Sequence, residues 1–92
     1  MRKSGDKMKS RKQEYGNRNM VGRNIELLRK RKKIPQKDFI SKIQVMGIDI
    51  NPTSYSKLEG QLRLATDKEI YVIAKILEVP VGELFENPEK QQ

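Results

Sequence analysis

Between Val21 and Phe85 the apolar residues recur at helical spacing in short bursts, and each burst is cut off by Pro or Gly. Val21, Ile25 and Leu28 stand at i, i+4 and i+7, with Lys and Arg filling the other faces as far as Lys33. This predicts a first helix over 21–33. Pro35, tolerated at a first helical position, precedes Phe39, Ile40 and Ile43, so a second helix is expected over 35–45. Gly47 ends it by supplying a left-handed conformation after Met46. Ile48, Asp49 and Ile50 alternate too briefly for an independent strand. They deliver Asn51 and Pro52, a preferred N-cap followed by the residue that best fits the next position, which predicts a third helix over 52–59. Thr66 and Glu69 have capping-box spacing ahead of Ile70, Ile73, Ala74 and Leu77, the apolar stripe of a fourth helix. Pro80 opens a short fifth helix carrying Val81, Leu84 and Phe85. The expected class is all-α, a compact bundle of five helices.

A chain of 92 residues, 35% hydrophobic, supports one core and no second domain. No apolar run approaches the roughly 18 residues of a membrane span, and the N-terminus is too charged for a signal peptide, so a cytoplasmic protein is expected. Cys and His are both absent. That excludes disulfides, thiolate nucleophiles, zinc fingers and the usual general base. There is also no glycine-rich phosphate loop, no metal-ligand spacing and no carboxylate pair on a shared face, so neither an enzyme nor a cofactor is expected.

The net charge of +8 is unevenly placed. Residues 1–33 hold 13 Lys and Arg against 3 acidic residues, and residues 34–92 hold 7 against 9. Residues 1–20 contain too little apolar surface to offset ordering entropy and read as a flexible basic arm, followed by a domain over 21–86 and a polar tail over 87–92. Met20 leaves open that the arm is an extension. A basic front half points to a polyanion, nucleic acid first and an anionic membrane surface second. For Lys30, Lys32 and Lys33, favourable interaction with a helix C-terminus is as good an explanation as phosphate. Low aromatic content, 5%, argues against single-stranded RNA.

Two short amphipathic helices joined by a glycine-containing turn are the plan of a helix-turn-helix, and of many small bundles too. The residues carry the matter further. NIELLRKRKKIPQKDFISKI, GIDINPTSYSKLEGQLR and KEIYVIAKILEVPVGELF together resemble the helix-turn-helix domain of phage repressors, Cro proteins and their bacterial relatives. The resemblance covers Asn24 to Phe85.

It implies a λ-repressor-like domain that binds double-stranded DNA sequence-specifically and regulates transcription, with the third helix in the major groove. Pro52, Thr53, Ser56 and Lys57 match the base-facing positions. Lys57 can donate to guanine, Thr53 can offer a hydroxyl or a methyl, and Ser56 can donate or accept. Gln36, Asn51, Gln61 and Arg63 match positions that hold the sugar-phosphate backbone. Arg29 and Glu59 look like the family's structural ion pair between the first and third helices. The resemblance also implies a homodimer through the C-terminal helices, in which Val81, Leu84 and Phe85 are core, dimer interface or both.

Two features depart from the compact phage proteins. The link VMGIDIN is several residues longer, as in a bacterial subgroup, and Gln61 stands where glycine is expected. A positive φ at Gln61 would imply strain. The alternative function is a protein-interaction module, such as an antitoxin or regulatory partner, acting through the C-terminal helices.

Overall fold

A computed structural model describes residues 15–86. Among them every regular element is helical: α1 Gly22–Arg31, α2 Gln36–Val45, α3 Pro52–Glu59, α4 Asp67–Leu77 and a 3-10 helix Val81–Phe85. None is long and apolar enough to cross a membrane. α1 packs on α3, α4 and the 3-10 helix, and α2 packs on α3 and α4. Their shared core is built from Ile25, Phe39, Ile43, Tyr55, Leu58, Ile73, Leu77 and Leu84, all fully buried.

The helix starts follow local chemistry. Asn51 Oδ1 accepts the Ser54 N–H at 2.8 Å, with Pro52 in the first turn. Thr66 and Glu69 form a reciprocal capping box at the start of α4. The ends follow one rule. Each α-helix is closed by a left-handed residue, Lys33 (φ 61°), Gly47 (98°), Gln61 (63°) and Glu78 (62°). At each exit the next residue, Ile34, Ile48, Leu62 or Val79, returns its N–H to the carbonyl five residues back. These are Schellman closures, which satisfy carbonyls that a helix end leaves open. Glycine makes such a turn freely, and here three of the four are made by side chains that pay the steric penalty of the left-handed region.

Three expectations are corrected. The fifth helix is a five-residue 3-10 helix, because the stretch between Pro80 and Glu86 is too short to close α-helical turns and the tighter helix suits short pieces. Of its three apolar residues Leu84 is core, while Val81 and Phe85 are exposed. The first helix stops at Arg31, since Lys33 adopts the left-handed conformation. Tyr15–Met20, expected as part of the arm, packs on the domain instead, held by polar bonds rather than by apolar burial. Residues 1–14 of the expected arm and the 87–92 tail lie outside the described residues.

Candidate nucleic-acid interface

α3 is a helix with two different faces. Inward, Tyr55, Leu58 and Glu59 are buried, and the Tyr55 ring meets Phe39 of α2 at 5.7 Å between centroids, tilted by 59°. The link before it is held too. Ile50 is buried in the core, and its carbonyl accepts the Gln44 side-chain amide at 2.7 Å. The start of α3 is therefore fixed relative to the end of α2.

Glu59 is the centre of a buried polar cluster that joins three helices. Its carboxylate accepts Arg29 Nε at 2.8 Å and Arg29 Nη2 at 3.2 Å from α1. It also accepts Gln36 Nε2 at 2.9 Å from α2 and the Tyr55 hydroxyl at 2.6 Å from α3 itself. The ion pair expected from the sequence is present, with side-chain exposures of 7% and 0%. Burial disfavours charge on Arg29, but the hydrogen bond and attraction of Glu59 outweigh it and hold the guanidinium proton more tightly than usual. Burial, reinforced by Glu59, pushes the Tyr55 hydroxyl well above the ordinary phenol range, so it remains a donor. Arg29 Nη1 also donates to the Ile34 carbonyl at 2.7 Å, closing the α1 exit.

Outward, Asn51, Pro52, Thr53 and Lys57 are exposed and Ser56 is half-buried. Among the described residues no hydrogen bond or ion pair engages the side chains of Thr53, Ser56 or Lys57. Arg18, Arg23, Lys30, Arg31, Lys32 and Lys33 are exposed as well. The first turn of α2 has no side-chain cap, which leaves the N–H groups of that turn open to an anion.

The other residues matched to the sugar-phosphate backbone are spent inside the protein. Gln36 binds Glu59. Gln61 has the positive φ that the sequence raised as a source of strain, and its amide donates to the Asn19 carbonyl at 2.9 Å. Arg63 is a clamp: Nε donates to the Ser54 carbonyl of α3 at 3.0 Å, Nη1 to Leu64 O at 2.7 Å, and both terminal nitrogens to Glu69 of α4, the shorter contact being 2.9 Å. The α3–α4 loop is thus fixed by a guanidinium that the sequence reading assigned to phosphate.

Glu69 carries a pH dependence. Burial opposes its charge, yet the hydrogen bonds from Arg63 and from the Thr66 N–H outweigh this and hold the carboxyl below its ordinary value of 4.5. A carboxylate depressed in the folded state stabilises above its unfolded pKa and loses that contribution as pH falls through the folded one. Wild type is expected to exceed Glu69→Gln in stability by about 1 kcal/mol at neutral pH, the net scale of a typical protein hydrogen bond. Urea titrations should show that gap closing below pH 4.5, whereas a gap indifferent to acid would remove Glu69 from the acid limb.

The sequence reading missed Asn19. Its Oδ1 accepts the N–H groups of Val21 at 3.0 Å and Gly22 at 2.8 Å, at the entry to α1, and its Nδ2 donates to Leu58 O at 3.0 Å and Arg63 O at 2.8 Å. An Asn just ahead of an apolar helical pattern is a local capping signal. Nothing local marks partners some forty residues away. Among the described residues no cluster of acidic side chains is placed to hold a metal ion. Comparison with family models, curated proteins and solved structures finds no match in any of the three.

Proposed function

We propose that this chain binds double-stranded DNA sequence-specifically as a transcriptional regulator of the phage-repressor and Cro type, with α3 as its reading helix. The observation that carries the reading is the division of α3. Its inner face is locked to α1 and α2 through Leu58, Tyr55 and Glu59, while the side chains of exposed Thr53 and Lys57 and half-buried Ser56 have no partner among the described residues. A rigidly held helix with free donors is what base readout in the major groove requires. In this reading Lys57 donates to a guanine edge, Thr53 and Ser56 read a neighbouring base, Pro52 lies against the groove wall, and Asn51 with the open first turn of α2 meets phosphate. Two copies would set two α3 helices about 34 Å apart on a pseudo-palindromic site.

Selection of a random duplex library tests this, with wild type and Lys57→Ala side by side at near-physiological salt. A symmetric motif is expected. Lys57→Ala should blur one position in each half, at a cost of about 1–3 kcal/mol for the preferred base. Binding that is salt-sensitive and blind to sequence would refute the reading.

A second reading has its own observation. Val45, Met46, Tyr71, Val81 and Phe85 are exposed, Val45 to 85%, along two adjoining grooves beside α4. An exposed apolar surface of this kind suits a protein contact, either a second copy or a regulatory partner. It uses residues outside α3, so the two readings are compatible.

A further inference from the structure

Gly16, Arg18 and Asn19, just ahead of α1, bind the exit of α3. Gly16 N–H donates to Gly60 O at 2.8 Å, and Arg18 N–H donates to Gln61 O at 2.9 Å. Gln61 returns a bond to Asn19 O, and Asn19 Nδ2 bridges Leu58 O and Arg63 O. Five hydrogen bonds therefore converge on residues 58–63, where Gln61 holds a left-handed turn without glycine. The fit is close, because a Cβ on Gly16 would lie 2.4 Å from Gln61 O. Tyr15 donates its hydroxyl to Glu26 of α1 and lies under Arg23, whose guanidinium carbon is 5.3 Å from the ring centre.

Asn19 uses its whole hydrogen-bonding capacity on two helices. Its oxygen holds the start of α1 and its nitrogen holds the end of α3, so the orientation of one is transmitted to the other through a single planar amide. We infer that Asn19 is a positioning residue for the reading helix, and that the strap Tyr15–Met20 is part of the specificity-determining unit although none of its side chains needs to touch a base. This rests on the proposal that α3 reads DNA. Helix placement matters because bidentate and methyl contacts to bases depend on direction, whereas attraction to phosphate tolerates displacement. Loosening the α3 exit should therefore erode sequence preference and leave non-specific affinity in place.

Two variants of the full chain separate positioning from simple loss of stability. Asn19→Ser keeps an oxygen that can accept at the entry to α1 but has no amide to bridge Leu58 O and Arg63 O. Gly16→Ala dislodges the strap at the Gln61 carbonyl and leaves the entry to α1 untouched. The readout is the ratio of Kd for a random duplex to Kd for the duplex selected by wild type, at a temperature where thermal melts show all three proteins folded. A merely structural role lowers the melting temperature and leaves that ratio alone. Positioning lowers the ratio about tenfold in Asn19→Ser, the scale of two hydrogen bonds, with the random-duplex Kd unchanged. Gly16→Ala should move it the same way. A wild type without sequence preference overturns the reading beneath this inference and the inference with it. A wild-type preference retained in full by both variants overturns the inference alone.

Discussion

Arg29→Met should be among the most damaging single changes in this domain, with a loss of about 3–5 kcal/mol in urea unfolding, the usual result of stranding one partner of a buried ion pair. The reason is the position of the charge left behind. Glu59 has no exposed surface, and without Arg29 its carboxylate loses the guanidinium that binds it through two nitrogens. The α1 exit also loses the bond from Arg29 to Ile34 O. Domains of this size are stable by about 5–15 kcal/mol, so the loss is a large share of the total. Removing the charge as well should help: the Arg29→Met, Glu59→Leu double variant is expected to lose less than the sum of the single changes, and less than Arg29→Met if the apolar pair packs well. Strict additivity in that cycle would mean that the two side chains do not depend on each other.

Gly22→Ala should lower the melting midpoint by roughly 10 °C, equivalent to about 2 kcal/mol for a domain of this size. Helix propensity argues the other way, since alanine is favoured over glycine within a helix by about 1 kcal/mol. Packing decides the sign. A Cβ at Gly22 would lie 2.3 Å from Leu58 O and 2.6 Å from Glu59 O, which are backbone atoms of α3 that no rotamer change can move. α1 and α3 must separate, and that strains both the Glu59 cluster and the Asn19 bridge. Gly82→Ala is the control, because its Cβ would meet nothing within 4 Å. A melt that leaves Gly22→Ala at or above wild type would show that the two helices do not approach so closely.

How far the sequence could be read depended on the range of each interaction. The start of α3 was legible because Asn51 and Pro52 are adjacent and act locally, and the start of α4 was legible because a capping box spans only Thr66 to Glu69. The Gly47 turn was legible for the same reason. The Arg29–Glu59 pair came from resemblance, since no spacing links residues thirty positions apart. The clamp made by Arg63 was not legible, because only the folded loop brings Glu69 to its guanidinium. The strap was read as part of an arm because its residues bury little apolar surface. Its attachment runs instead through backbone bonds to Gly60 and Gln61, which carry no side-chain signature. The final element was legible only as a short helix, because apolar spacing does not distinguish five 3-10 residues from a short α-helix.

The two faces of α3 also differ in how freely they can change over generations. Gly22 and Arg29 of α1 both meet Glu59, one at its backbone and the other at its carboxylate, so drift at one of the three needs compensation at another. Among the described residues Thr53 and Lys57 share no bond with that interior, and exchanges at such exposed positions would refold nothing. Lineages descended from this chain would be expected to diverge quickly along one edge of an eight-residue helix and scarcely at all along the other.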